Sequence, residues 1–306
     1  MNLTSPREVM ALLESGGIRP NKVLGQNFLI DRNILDAIVA VAELSSADVA
    51  IEVGPGLGVL TEQLMARCAK VVAIEKDAGL HQILERRWGG DPRLELIHAD
   101  ALDVDLAARF AGGATRLVSN LPYSVGVRVV VDAATCEAAP AVMVVLLQKE
   151  VAERFVAGPG TSDMGAVSIW LQQRYDIALV KTVKPSCFHP RPEVVSAVVK
   201  LVRHERFPLD AAARAALQAL TKAAFLHRRK QLAASLRDAP GGLAREAAFT
   251  RRALAACGAS ETARAEELSV EQWIGLSAAW HGIALDRREV GAVDSGVDGG
   301  VRQSSV

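Results

Sequence analysis

Between residues 48 and 202 short apolar runs alternate with longer stretches whose apolar residues recur at helical spacing. Ala50-Ile51-Glu52-Val53, Val71-Val72-Ala73-Ile74, Leu94-Glu95-Leu96-Ile97, Leu117-Val118-Ser119 and Val142 to Leu147 read as five strands. Leu60 to Cys68 and Leu80 to Trp88 read as helices between them. Strands that are apolar without alternation, and separated by helices, belong to a parallel sheet covered on both faces. Ile169-Trp170-Leu171 and Ala197 to Val202 are expected to add strands at one edge. After Pro208 the pattern changes. Residues 209–281 are rich in alanine and leucine at helical spacing, interrupted at Pro240-Gly241-Gly242 and Cys257-Gly258. From residue 285 onward periodicity is lost, which predicts a disordered tail. The expected organisation is an α/β unit over residues 1–207, a small helical domain over 208–284 and a tail over 285–306.

Composition adds little until it is resolved along the chain. The 306 residues carry 35 Lys and Arg against 35 Asp and Glu, with 50% hydrophobic residues, as in ordinary globular proteins. The neutral sum hides a division. Between Arg203 and Arg252 there are 11 Lys and Arg against 4 acids, densest at His227-Arg228-Arg229-Lys230. Such an excess in a neutral chain points to a polyanion-binding surface. Cys68, Cys136, Cys187 and Cys257 form no C-x-x-C pair, which argues against a zinc cluster or disulfide framework and fits a reducing cytosol. No apolar run approaches the roughly 18 to 20 residues of a membrane helix, and no secretory signal pattern opens the chain. A cytoplasmic protein is expected.

The first strand runs into Glu52-Val53-Gly54-Pro55-Gly56-Leu57-Gly58. Glycines here permit a tight turn and close approach of backbone N–H groups to a ligand. A dinucleotide loop, G-x-G-x-x-G, would need glycine where Val59 stands. The acid two residues before Gly54 would repel a pyrophosphate but suits a cation. S-adenosylmethionine carries a sulfonium and an ammonium and no phosphate. Glu75 ends the second strand, placed to accept both ribose hydroxyls, and Asp100 follows the third, placed to accept from an adenine amine. Acids at three successive strand ends share the edge where open α/β sheets bind ligands.

The fourth strand ends in Ser119-Asn120-Leu121-Pro122-Tyr123 at that same edge. The lone pair of an adenine amine is delocalised into the ring. The Asn120 side-chain oxygen and the Leu121 carbonyl can accept its two hydrogens and favour a pyramidal nitrogen. Pro122 fixes the turn, and Tyr123 offers a face to a base flipped out of its helix.

With these motifs, the chain resembles the ribosomal RNA small-subunit dimethyladenosine transferase family from about residue 7 to 281. Gly25-Gln26-Asn27-Phe28-Leu29, the glycine loop, Glu75, His98-Ala99-Asp100-Ala101 and Asn120 to Tyr123 carry the resemblance. So do Gln148-Lys149-Glu150, Phe188-His189-Pro190-Arg191-Pro192 through Ser196, and Ala224-Phe225 with Arg228-Arg229-Lys230. The resemblance implies a Rossmann-like class I methyltransferase sheet with a small all-helical C-terminal domain. It implies S-adenosylmethionine as methyl donor and no metal. Gln26, Asn27 and Leu29 would close over the methionine end, with Glu52, Gly54 and Gly56 beneath it. Glu75 would bind the ribose, Asp100 and Ala101 would lie at the adenine, and Lys76 would be a further cofactor-binding residue. Asn120 would touch both cofactor and target amine, and Tyr123 and Phe188 would flank the target base. Arg228, Arg229 and Lys230 would hold RNA. The implied activity is dimethylation of two adjacent adenosines in the 3′-terminal hairpin loop of 16S rRNA, with the rRNA of an assembling small subunit as partner; a monomer is the default expectation. The alternatives are a large-subunit rRNA adenine methyltransferase and a non-catalytic assembly or transcription factor. Loss of the cofactor acids or of Asn120 would favour the last, and all are present.

Overall fold

The computed structural model describes residues 3–18, 20 and 25–283. The expected tail over 285–306 therefore lies outside the described residues. The chain opens with α1 (Pro6–Ser15), the short strand β1 (Phe28–Leu29) and α2 (Arg32–Val41). Alternation follows through β2 (Val49–Val53), α3 (Val59–Met65), β3 (Lys70–Glu75), α4 (Ala78–Trp88), β4 (Leu94–His98), α5 (Leu106–Ala111) and β5 (Arg116–Asn120). Next come α6 (Gly126–Thr135), β6 (Val142–Gln148), α7 (Lys149–Val156), α8 (Ala166–Gln172), β7 (Tyr175–Val183), β8 (Phe188–His189) and β9 (Ser196–Arg203). Four helices complete the described chain: α9 (Ala211–Ala224), α10 (Leu232–Ser235), α11 (Ala247–Ala256) and α12 (Val270–His281).

Seven strands form one sheet in the order β4-β3-β2-β5-β6-β9-β7. β4, β3, β2, β5 and β6 are mutually parallel, while β9 runs antiparallel to both β6 and β7. The five expected parallel strands are all present. The strand order reverses between β2 and β5, and this crevice at the C-terminal strand ends is where such sheets bind ligands. Ile51, Val72 and Leu117 face one apolar layer with α6, while Ala50, Val71 and Val118 face another with α2 and α3. Both faces are thus covered, which explains the unbroken apolar runs.

The edge differs from expectation. Ile169, Trp170 and Leu171 lie in α8, not in a strand. The Gly165 N–H donates to Ser168 Oγ, setting the first turn. Ile169 then packs towards the C-terminal helices and Leu171 towards the sheet, so a short apolar run serves two cores from a helix. The edge strand is instead β7, whose interior is exposed or half-exposed apart from its two buried ends. A one-neighbour antiparallel edge needs little apolar sequence, which is why Tyr175 to Val183 carries a weak strand signal.

The C-terminal helices close around Leu217, Leu220, Leu232, Leu254 and the fully buried Trp273. Met164 and Ile169 enter the same cluster, and Trp170 Nε1 donates to Thr221 Oγ1 at 2.8 Å. The helical layer is therefore seated on α8 by both packing and a hydrogen bond.

The glycine turn after β2 is built around side chains from α4. Gly58 has φ +83°, and a Cβ there would lie 2.4 Å from Trp88 Cζ3. Left-handed backbone and overpacking together should cost Gly58→Ala roughly 2–5 kcal/mol. Urea denaturation measures this, and a midpoint equal to wild type would disprove the packing argument.

Candidate functional site

The C-terminal strand edge opens into a cleft of about 1100 Å³, counted to its solvent-filled mouth. β2 brings Glu52, Gly54 and Gly56 to it, β3 brings Glu75 and Lys76, and the end of β4 brings Asp100 and Ala101. β5 brings Asn120, Leu121, Pro122 and Tyr123, and the segment before and through β1 brings Gln26, Asn27 and Leu29. Residues far apart in sequence converge because parallel strands present the same end on one edge.

The glycine turn is tied down from below. Gly54 N–H donates to the Ile74 carbonyl at 2.9 Å, and Gly56 N–H to Glu75 Oε2 at 3.1 Å. The other Glu75 oxygen accepts from Asp77 N–H at 2.8 Å. Gly54 has φ +70°, and a Cβ would sit 2.9 Å from Pro122 Cγ, so only glycine lets the loop meet the turn after β5. Glu52 is 1% exposed and accepts from Thr61 Oγ1 at 2.6 Å. Burial pushes its carboxyl up to about 8, the Thr61 hydrogen bond opposes this, and the charge of Glu75 adds to it. Burial likewise raises Glu75 to about 6, against the N–H groups of Asp77, Gly56 and Lys76. At the rim, Lys76 Nζ lies 2.6 Å from Asp100 Oδ2, and this hydrogen bond holds the Asp100 carboxyl below its ordinary value.

The arm crosses the cleft mouth. Gln26 Nε2 donates to Asp77 Oδ2 at 3.2 Å, and Asn27 Nδ2 to the Gly25 carbonyl at 3.1 Å. Asn120 Nδ2 donates to the Asn27 carbonyl at 3.1 Å, which leaves its Oδ1 as the acceptor available to the cleft. The turn after Asn120 is closed by Val125 and Gly126 N–H groups donating to the Pro122 carbonyl. Leu121 N–H donates to Leu146 O, anchoring the turn to β6.

Phe188 departs from expectation. It is 1% exposed and packs with Leu29, Ile34, Leu35 and Val183, and it is not among the cleft-lining residues. The antiparallel pairing of Leu29 with Phe188 between β1 and β8 turns the ring into the core, where a phenylalanine gains most from burial. Tyr123, half-buried, is the aromatic of the two that lines the cleft. Arg228 also differs from its neighbours. It donates through Nη2 to the Ser162 and Met164 carbonyls at 2.5 and 2.9 Å, joining the helical layer to the loop before α8. All three, Arg228, Arg229 and Lys230, are exposed.

Sequence reasoning did not single out Asp77, which caps α4 by accepting from Gly79 and Leu80 N–H and also holds Gln26. An acid opening a helix just after Glu75 was the available signal. Leu3 and Val9, which lend apolar surface from around α1 to the cleft, carried no signal beyond helical spacing.

This strand order, with a glycine turn after the first sheet strand and an Asn-Leu-Pro-Tyr turn after the fourth, defines a class I methyltransferase. A sequence model described as ribosomal RNA adenine dimethylase matches residues 17–278, and the chain belongs to that family. Ribosomal RNA small subunit methyltransferase A of Geobacter metallireducens is 38% identical over 266 residues, covering 86% of this chain and 96% of that protein. The protein of the same name from Phenylobacterium zucineum is 38% identical over 296 residues, covering 95% and 98%. Among solved structures, a dimethyladenosine transferase from Plasmodium falciparum superposes with TM-score 0.67 at 22% identity, covering 81% of this chain and 95% of that one. The 23S rRNA methyltransferase ErmE gives 0.62 at 25% identity, covering 83% and 100%. No helix among the described residues is long and apolar enough to cross a membrane.

Glu52 generates a pH prediction. Its carboxyl is raised from 4.5 to about 8, so its contribution to stability is full below the lower value and lost as pH rises through the upper one. An ammonium placed beside Glu52 would favour the ionised form and expel that proton. Affinity for S-adenosylhomocysteine should therefore rise between about pH 6.5 and 8 in calorimetric titrations. Glu52→Gln should lose this slope, bind more weakly, and melt no lower than wild type at pH 8.5 without ligand.

Proposed function

We propose that this chain dimethylates the N6 amines of two adjacent adenosines in the 3′-terminal hairpin loop of small-subunit (16S) ribosomal RNA. The proposal extends to an assembling small subunit as the substrate particle, the cytoplasm as the compartment and a monomer as the active form. The observation that carries it is the convergence of Asn120 and Tyr123 with the three strand-end acids on one cleft. The relatives named for the small subunit favour this reading over the large-subunit alternative.

The residues fit S-adenosylmethionine. Glu52 is a buried carboxylate whose charge is costly until a cation meets it. A Cβ on Gly54 would press on Pro122, and one on Gly56 would lie 3.1 Å from Phe28 Cδ1, so the turn is shaped for close approach. When bound, the cofactor supplies a methyl group on a sulfonium; each transfer forms one C–N bond, breaks one C–S bond and releases one proton. Glu52 faces the ammonium, and Gln26, Asn27 and Leu29 cover the methionine end over Gly54 and Gly56. Glu75 accepts the ribose hydroxyls while its N–H partners keep it ionised. Asp100, held by Lys76, accepts from the adenine amine beside Ala101.

For the target, Asn120 Oδ1 and the Leu121 carbonyl accept the two amine hydrogens and orient the nitrogen lone pair. Pro122 fixes that pair of acceptors, and Tyr123 stacks on the flipped base, with typical stacking worth about 1–3 kcal/mol. Catalysis of this kind rests on positioning and on acceptors facing the developing cationic amine. The proton leaves to solvent after transfer, so no general base is assigned. Arg229 and Lys230 hold RNA phosphates, while Arg228 mainly secures the helical layer.

Incubation with labelled S-adenosylmethionine and unmethylated small subunits should yield N6,N6-dimethyladenosine in that hairpin. Label elsewhere, or none, would refute the assignment. Asn120→Ala should fall at least about 100-fold in rate, the scale of losing one preorganised acceptor or donor, and full methylation by it would remove the catalytic role. Replacing Arg229 and Lys230 by alanine should weaken RNA binding and flatten its log–log salt slope by about 0.7–0.9 for each phosphate no longer neutralised. Thermal melting should be unchanged in that pair and lowered in Arg228→Ala.

A further inference from the structure

Tyr123 does not stand alone at the cleft. Its hydroxyl meets Ser196 Oγ at 2.5 Å across 73 residues of sequence. Ser196 is fully buried and opens β9. It is paired with Gln148 of β6 on one side and Val183 of β7 on the other. Its neighbour Val195 accepts from Lys149 N–H at 2.9 Å. The serine hydroxyl is thus fixed by three strands, whereas Tyr123 sits in a turn whose own hydrogen bonds end on Pro122 and do not hold the ring.

We infer that Ser196 is a positioning residue for methyl transfer, pinning the far end of the Tyr123 ring so that its face is held in one plane for the target adenine. This rests on the stacking role of Tyr123 proposed above. A tyrosine hydroxyl half-buried beside a sheet loses free energy when it has no partner, so the Ser196 contact selects one ring orientation among those the turn permits. The same bond ties the loop after β5 to β9, and it sets how rigidly the base is held through both additions to one amine. The second addition is the more demanding one, because a monomethylated amine is bulkier and has one hydrogen left for Asn120 or Leu121. Loosening the ring should therefore slow the second methylation more than the first.

The test is a double-mutant cycle with Ser196→Ala and Tyr123→Phe, read as kcat on unmethylated small subunits and as the ratio of N6-methyl- to N6,N6-dimethyladenosine. Each single variant should lose about 5- to 30-fold in kcat and accumulate the monomethyl product. The double variant should be no worse than either single one, since both remove the same bond. S-adenosylhomocysteine affinity and melting temperature monitor the fold, and Ser196→Thr, which restores a hydroxyl, should recover the product ratio. Equal losses from Ser196→Ala in the wild-type and Tyr123→Phe backgrounds, or a wild-type product ratio in Ser196→Ala, would overturn the inference. A fully active Tyr123→Ala would instead remove the stacking role on which it rests. A wild-type protein that leaves the hairpin unmethylated would remove the function itself.

Discussion

Two buried carboxylates set the terms for everything around them. Glu52 and Glu75 stand at adjacent strand ends beneath the glycine turn, and each is shifted upward mainly by burial, with Glu75 adding repulsion to Glu52. Leaving water costs a carboxylate several kcal/mol even after relaxation. The fold tolerates this by giving Glu52 the Thr61 hydroxyl and Glu75 backbone N–H donors that include those of Gly56 and Asp77. One of those donors, Gly56 N–H, belongs to the turn itself, so the loop is held in place by one of the strand-end acids that line the cleft. With its carboxyl raised to about 8, Glu52 holds its proton near neutral pH, and a positive charge beside it would favour the ionised form.

The same arrangement explains what could be read from the sequence. The five parallel strands were legible because burial on both faces demands continuous apolar residues, as in Val142 to Leu147. The acids and the Asn-Leu-Pro-Tyr turn were legible because strand ends are marked by a change from apolar to polar residues. β7 and α8 were not, since Tyr175 to Val183 forms an edge with mostly exposed side chains and Ile169 to Leu171 is too short to show a period. Phe188 was misplaced for a different reason. Its motif is in the expected position, but its pairing with Leu29 is a contact across more than 150 residues, which no local pattern encodes.

The basic stretch between Arg203 and Arg252 illustrates a related limit. Three consecutive cations look equivalent in sequence and all three are exposed, yet Arg228 also donates to two carbonyls of the loop before α8. A guanidinium has five donors in a fixed fork and can bridge carbonyls in a way the lysine ammonium cannot match. Charge counts locate a surface; hydrogen-bond geometry picks out the cation on it that is tied to the fold.

Between Gln26 and Leu29 the arm touches the segment after β3, the end of β5, the glycine turn and β8 in four consecutive residues. Such a short span has almost no slack. Displacing Asn27 moves the partner of Asn120, and displacing Phe28 removes the wall against Gly56. The arm is therefore a common joint for parts of the cleft that otherwise belong to separate strands. Substitutions at Asp77, Gly56 and Asn120, though placed on three different elements, should not behave as independent changes, because each is felt by the others through the same few backbone bonds.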